Sequence, residues 1–258
     1  AKVTLLVNGQ NLNNIHEPDF LNGPINLDNI EWVEVVVGPS SLFQPANTLA
    51  ATVNVITRDV DGTVVRGAVG NDLRYSGTVM TGKRWAPDRS ITFSLTLEEK
   101  DGFDAWNTRA NLANRSITGE LDWPSYFGVL KGQHGEWSAQ AVAYRSTWPE
   151  LNINSGSADN DGVYSDEFYS ALVRNEHCWS DDLTSIFRAD ITRKQTTREN
   201  DNGPPENAVE QFLEQLVYSG ELGLRYSGFA GPLLQGGVQG SYDDNLDNYY
   251  TWDVSRIH

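Results

Sequence analysis

One cysteine, one methionine and four histidines stand among 258 residues. A single cysteine, Cys178, excludes any disulfide within the chain, and its neighbour His177 lacks two further ligands at a metal-binding spacing. Cys178 therefore reads as a structural thiol. The other histidines, His16, His134 and His258, stand in no ligand-like spacing with one another. Basic residues are scarce as well: 19 Lys and Arg face 35 Asp and Glu, for a formal charge of −16. Such a field repels phosphate backbones and argues against nucleic acid as a partner, while cationic or metal-chelate ligands stay open.

Long apolar runs are missing too. None approaches the roughly 18 residues of a membrane helix, and Ala1-Lys2-Val3-Thr4 opens into a strand-like segment rather than a signal peptide. This excludes helical membrane spans only. A transmembrane barrel crosses with alternating segments of about ten residues, which leave mean hydropathy as low as the −0.46 found here.

Catalytic signatures are equally absent. The chain has no Gly-x-Ser-x-Gly, no phosphate-cradling Gly-rich loop with a Lys and no His-Glu-x-x-His. Ser157, Asp159, Asp161 and Gly162 imitate the front of a calcium loop, but the twelfth position is Phe168 instead of a bidentate Glu, so the segment reads as a solvated acidic loop. Asp243, Asp244 and Asp247 read as a second one. Glu98, Glu99, Asp101 and Asp104 near Trp106 have the residue types of a glycosidase site, yet an acidic chain supplies such clusters by chance. No metal, cofactor or enzyme activity is expected.

What the chain does contain is strand texture. Val3 to Val7 is a short apolar run closed by the turn dipeptide Asn8-Gly9, and Gln10 to Asn29 reads as loop with one short helical turn. Ile91, Phe93, Leu95 and Leu97 alternate strictly with Thr92, Ser94, Thr96 and Glu98; Leu183, Phe187, Ala189 and Ile191 likewise oppose Thr184, Arg188, Asp190 and Thr192. Less regular strand candidates are Val64–Asn71, Leu73–Thr81, Ser116–Trp123, Phe127–Lys131, Glu136–Ser146, Asp166–Trp179, Leu222–Ser227 and Leu233–Tyr242. Ala208–Tyr218 suits either a helical or a strand period and is assigned strand from its neighbours. Roughly ten to eleven strands after Arg58, separated by tight turns and by long Asp-, Asn- and Gly-rich loops such as Asn152–Asp161 and Thr197–Asn207, form the pattern of an outer-membrane barrel. Trp85, Trp123, Trp148, Trp179, Tyr249, Tyr250 and Trp252 fall near the expected strand ends, where an aromatic girdle would put them.

The most informative stretch precedes these strands. Ile30-Glu31-Trp32-Val33-Glu34-Val35 is followed by Gly38-Pro39-Ser40-Ser41-Leu42-Phe43 and then by Val53-Asn54-Val55-Ile56-Thr57-Arg58, with Leu5-Leu6-Val7-Asn8-Gly9 upstream. Gly38 and Pro39 break one strand and set a rigid turn. In order and separation these segments resemble the end of the plug domain of TonB-dependent outer-membrane receptors. The joint spacing of Glu31, Glu34, Gly38, Pro39 and Asn54 carries the resemblance. Val37 stands where that family usually has Arg, Gln44-Pro45 replace its Gly after the aromatic, and Ala50-Ala51 replace a Gly pair.

The resemblance implies a mainly β chain: residues 1–60 as the C-terminal part of a small α+β plug domain, and residues 61–258 as the N-terminal part of an antiparallel transmembrane β-barrel, about ten strands and incomplete. The chain is then an internal fragment of a longer protein. It further implies a Gram-negative outer-membrane location and a small-molecule ligand such as a siderophore, cobalamin or a glycan. Lipid and an inner-membrane TonB-type energy-transducing protein, reached through a segment missing here, are the other partners. Gln10, Asn11, Asn13, Asn14 and His16 are the ligand contacts it implies, on a loop after the Asn-Gly turn. A different class stays open on the residues: a secreted soluble β-sandwich or β-solenoid module binding carbohydrate. The two differ in one respect. A barrel carries its apolar face outside a curved sheet, whereas a sandwich buries that face against a second sheet.

Overall fold

A computed structural model describes residues 3–11, 27–37, 51–70, 74–100, 104–106, 116–118, 125–150, 162–201, 208–228 and 234–252, nearly all of them in strands. Four strands form a small sheet: β1 (Val3–Val7), β2 (Gln10–Asn11), β3 (Ile30–Val37) and β4 (Ala51–Thr57), in the order β2-β1-β4-β3. A 3-10 turn at Leu27–Asn29, the short helical turn expected of this loop, leads into β3. Asn8 and Gly9 both have positive φ, 47° and 84°, as the two central residues of a type I′ hairpin turn require. That turn folds β2 back on β1, while β1 and β4 run parallel, with Leu6 beside Asn54.

A large antiparallel sheet of nine strands follows. It consists of β5 (Gly62–Val69), β6 (Arg74–Ala86), β7 (Arg89–Lys100), β10 (Ser125–His134), β11 (Trp137–Glu150), β12 (Gly162–Cys178), β13 (Leu183–Asp201), β14 (Ala208–Tyr226) and β15 (Leu234–Trp252), each paired with its neighbours in this order. A separate hairpin, β8 (Asp104–Trp106) with β9 (Ser116–Thr118), lies between β7 and β10 in sequence. Among the described residues eleven strands follow Arg58, and they run longer than the apolar segments that mark them in the sequence. Ala208–Tyr218 and Leu222–Ser227 belong to one strand, β14: Gly220 and Gly223 stay in register opposite Ala189 and Ile186, so ladder bonds from β13 carry the backbone through.

Two further readings need correction. Asp243, Asp244 and Asp247 are not loop residues; they pair in β15 with Val217, Leu216 and Glu214, and a bulge beside Glu214 and Gln215 absorbs one residue. Thr197 to Asp201, expected as loop, extends β13 opposite Phe212 to Ala208. Gly38, Pro39, Asn13, Asn14 and His16, like Trp123 and the acidic residues 157–161, lie outside the described residues.

At one end of the large sheet residues 87–88, 135–136 and 179–182 make short turns. Trp85, Trp137 and Trp179 are exposed at the short-turn end. Trp148, Tyr249, Tyr250 and Trp252 fall toward the other end of their strands.

The two faces of the large sheet have opposite character. Thr78, Thr92, Ser94, Thr96, Ser146, Ser170 and Thr192 are buried on one face, whereas Val79, Ile91, Phe93, Leu97, Val173, Phe187, Ile191, Leu222 and Leu224 are exposed on the other. On β14 the apolar outward positions run from Leu216 to Tyr226. At about 3.4 Å per residue and a tilt near 45° they span roughly 24 Å, the height of the apolar band of a transmembrane barrel. A sandwich buries its apolar face; here the covered face is the polar one.

Candidate functional site between the two sheets

The small sheet lies on the polar face of the large one, and their contact is built from an apolar patch ringed by side-chain clamps. Leu5 and Val7 of β1 and Val55 of β4 enter one buried cluster with Phe127 and Val129 of β10, Val142 and Tyr144 of β11 and Phe168 of β12, against which Ile30 and Val53 also pack. The Tyr144 and Phe168 rings stack with centroids 5.3 Å apart. These apolar residues point inward, against the rule followed by β7, because they face the apolar side of β1 and β4.

Around this patch the polar groups pair across the interface. Gln10, only 2 % exposed, donates from Nε2 to Ser170 Oγ at 2.9 Å and accepts at Oε1 from Gln140 Nε2 at 2.6 Å. Gln140 Nε2 also reaches the Val7 carbonyl at 3.3 Å. Ser170 is held by Thr192 at 2.8 Å, and Arg188 donates from a terminal guanidinium nitrogen to the Gly9 carbonyl at 3.0 Å. The Asn8-Gly9 turn and the residue after it are thus gripped by β11, β12 and β13 together. On the other side, Asn29 donates to Thr96 Oγ1 at 2.8 Å, and Thr96 pairs with Thr78 at 3.0 Å.

The segment joining the sheets is pinned as well. Lys131 Nζ of β10 donates to the Thr57 carbonyl at 2.7 Å and pairs with Asp59 at 2.6 Å. Arg58 turns back, its N–H bonding the Asn29 carbonyl at 2.9 Å and its Nε the Ile30 carbonyl at 2.8 Å. Val60 crosses β6 at Gly82, where a side-chain methyl would stand 2.3 Å from the Val60 carbonyl oxygen.

Within the small sheet the motif residues have definite partners. Asn8 closes a two-bond ring with Thr57: its Nδ2 donates to Thr57 Oγ1, and its Oδ1 accepts from the Thr57 N–H, both at 2.8 Å. Asn54 accepts at Oδ1 from the Gly9 N–H and donates to Glu34, which also accepts from Trp32 Nε1 at 3.2 Å. Glu31 sits at the register shift between Ile30 and Trp32 and is exposed.

Of the ligand contacts that the resemblance implies, Gln10 and Asn11 are described. Gln10 is buried between the sheets; Asn11 pairs with Leu6 and is half-buried. Gln140, Ser170, Arg188 and Lys131, which fasten the sheets, were not singled out by sequence reasoning. Their only signal is a polar residue on the inward parity of a strand. Among the described residues no three His, Cys, Asp or Glu gather as a metal-holding group.

No family model matches the chain, and no curated protein does. Solved structures do. BauA, described as the ferric preacinetobactin receptor of Acinetobacter baumannii, superposes with a TM-score of 0.57 at 14 % identity over 98 % of this chain and 42 % of its own. Fiu, described as the ferric-catecholate import receptor of E. coli K12, superposes with a TM-score of 0.61 at 13 % identity over 93 % of this chain and 42 % of its own. The chain spans less than half the length of either receptor, and at that identity the likeness concerns the fold. Mainly β, with a plug-type sheet seated on the polar face of antiparallel barrel strands, the chain has the fold of the TonB-dependent receptors that its motif resembles.

Proposed function

We propose that this chain is the plug-and-wall part of an outer-membrane receptor that takes up a scarce ligand with energy drawn from an inner-membrane TonB-type protein. Residues 1–60 act as plug and 61–258 as barrel wall. The observation that carries the reading is the inverted polarity of the large sheet: hydroxyls and clamps inside, an apolar belt outside, and a second sheet on the polar side. Lipid is the solvent that suits the outer face. Ferric chelates of the siderophore class are the favoured ligands, because both receptors of like fold are described as receptors for ferric compounds. A cobalamin or glycan is the competing choice. Asn11, Asn13, Asn14 and His16 are the proposed contacts, with Gln10 fixing the start of their loop. The chain binds and conducts; it breaks no bond.

Cell fractionation and uptake test the reading. The whole protein is expected in the outer-membrane fraction, extracted only by detergent, and its deletion is expected to abolish energy-dependent accumulation of radiolabelled iron from a ferric tris-catecholate. Extraction into buffer without detergent would refute membrane residence. Normal iron accumulation in the deletion strain, with loss of another ligand's uptake, would move the ligand class and leave the rest standing.

A further inference from the structure

The outer face of the large sheet is apolar but not level. Followed across the strands in register, one outward row runs Phe93, Leu130, Ala141, Ala171, Ile191, and the next runs Leu95, Gly128, Ala143, Tyr169, Arg193. In each row two small residues lie between large ones, and the small pair steps by one strand from row to row. The result is a groove of about 620 Å³ across β10 to β12, with Phe93 and Leu130 on one flank and Ile191 and Leu216 on the other. Strands β7 and β10–β13 each hold a hydrogen-bonded neighbour on both sides, so strands added to this wall lie beyond β5 or β15 and leave the groove as it is. The small sheet sits on the opposite face.

The groove ends in a polar cluster. Tyr126 and Tyr169 reach toward each other across β11 and join hydroxyls at 2.6 Å, and Tyr169 donates onward to Glu167 at 3.1 Å. Arg145 is the register partner of Tyr126 and stands 3.6 Å from Glu167. Arg193 pairs with Glu214 and donates to Gln195 at 3.2 Å. The four charges sum to zero, yet they lie at different depths. The side chains of Arg145 and Arg193 are 43 % and 47 % exposed, whereas those of Glu167 and Glu214 are 22 % and 13 % exposed. The carboxylates therefore hold the guanidinium groups from within, and the charge presented outward is cationic, in the planar fork that matches phosphate oxygens. Arg193 is the register partner of Leu216, where the apolar belt of β14 ends, so the cluster lies at the headgroup level of a bilayer, away from the short turns.

We infer that this groove seats one lipid with a phosphate headgroup: an acyl chain lies over Gly128, Ala141, Ala143 and Ala171, and Arg145 and Arg193 take the phosphate oxygens. The groove alone would accept the chain of any lipid. The guanidinium pair at its end is what selects the phosphate. The inference rests on the membrane reading proposed above and adds a preferred lipid to it.

Lipid titration of the whole protein in detergent, followed by native mass spectrometry, tests it. The probes are dioleoylphosphatidic acid, dioleoylglycerol, which has the same chains without the phosphate, and inorganic phosphate. Phosphatidic acid is expected to bind at least about ten-fold tighter than dioleoylglycerol, the factor that about 1.4 kcal/mol of charge-assisted hydrogen bonding gives. Inorganic phosphate is expected not to displace it. The double variant Arg193→Gln, Glu214→Gln removes a charge pair without leaving either member alone, and is expected to bring phosphatidic acid down to the level of dioleoylglycerol. Ala141→Leu fills the floor with an apolar side chain and is expected to weaken phosphatidic acid at least about five-fold. Val173→Leu, on the same face outside the groove, is expected to change nothing. Equal affinity for the two lipids would overturn the inference, as would displacement by inorganic phosphate or full binding by the Ala141→Leu variant. Should the double variant fail to assemble, Ala141→Leu and the comparison of the two lipids on the unsubstituted protein still decide. Extraction of the protein without detergent refutes the membrane reading itself; a detergent-requiring protein that ignores the phosphate refutes the lipid seat alone.

Discussion

Asn54 ties Glu34 to the Asn8-Gly9 turn. Its amide donates to Glu34 Oε2 at 3.0 Å across the β3–β4 pair, and its oxygen accepts from the Gly9 N–H at 2.9 Å in the turn that follows β1. One side chain therefore joins the edge strand of the small sheet to the turn that the large sheet grips, and the spacing of Glu34 and Asn54 acquires a physical reason. Asn54→Leu removes both bonds and leaves the Gly9 N–H and the Glu34 carboxylate to find other partners. A loss of about 1–3 kcal/mol is expected. Asn54→Asp keeps the acceptor for Gly9 and sets two carboxylates together, so it is expected to separate β3 from β4 while sparing the turn. Hydrogen exchange of the β3 and β1 amides distinguishes the two effects.

How far this arrangement is legible in sequence depends on the contact. The alternation of β7, with Ile91 to Leu97 outward and Thr92 to Glu98 inward, needs no partner to be read, because one face meets lipid or solvent along its whole length. On β10 to β12 the alternation blurs, since Phe127, Val129, Val142 and Phe168 point inward at the plug while Leu130 and Val173 point outward. The irregularity that weakens those strands as a pattern is the mark of plug contact. Gln10 shows the opposite limit. It sits in an Asn-rich stretch and reads as a loop residue, but its partners Gln140 and Ser170 are 130 and 160 residues away, and no local pattern carries that information. Asp243 and Asp244 read as loop by composition, and the ladder to β14 overrides that preference.

Gly82 and Gly77 lie on the same strand with different surroundings, which makes a controlled pair. A methyl at position 82 meets the Val60 carbonyl at 2.3 Å and that of Ile91 at 2.9 Å, whereas at position 77 nothing lies within 4 Å. Gly82→Ala must push the linker off β6 and is expected to cost about 1–3 kcal/mol. Gly77→Ala is expected to stay within about 0.5 kcal/mol. Thermal midpoints of the detergent-folded protein compare them directly; equal midpoints would mean that the linker does not rest on Gly82.

The polarity inversion predicts opposite tolerance on the two faces of β14. Leu222 is exposed on the outer belt, and Ser219 lies inward, donating to Asp190 at 2.6 Å. In the bilayer Leu222→Arg is expected to cost about 2–4 kcal/mol, as a charge near the midplane does. Ser219→Asn, which keeps a donor on the polar face, is expected to be mild. Assembly yield in outer membranes and urea titration in lipid vesicles measure both. A protein indifferent to Leu222→Arg would not carry its outer face in lipid.

Lys131 and Lys83 both pair with acidic residues of the linker, and burial decides what each contributes. Lys131 is 20 % exposed in its side chain, touches Asp59 at 2.6 Å and also satisfies the Thr57 carbonyl. Lys83 is 60 % exposed and stands 3.5 Å from Asp61. An exposed pair contributes about 0–1 kcal/mol and is screened by salt, whereas a half-buried one that also satisfies a main-chain acceptor leaves two groups unpaired when removed. Lys83→Met is therefore expected to change the unfolding midpoint little, and any change should vanish by about 0.5 M salt, where the Debye length falls to roughly 4 Å. Lys131→Met is expected to cost about 1–2 kcal/mol, to persist at that salt concentration, and to raise hydrogen exchange at Thr57 and Asp59 specifically. If both variants respond alike to salt, the linker is held by surface charge alone and not by the side chain that reaches it from the wall.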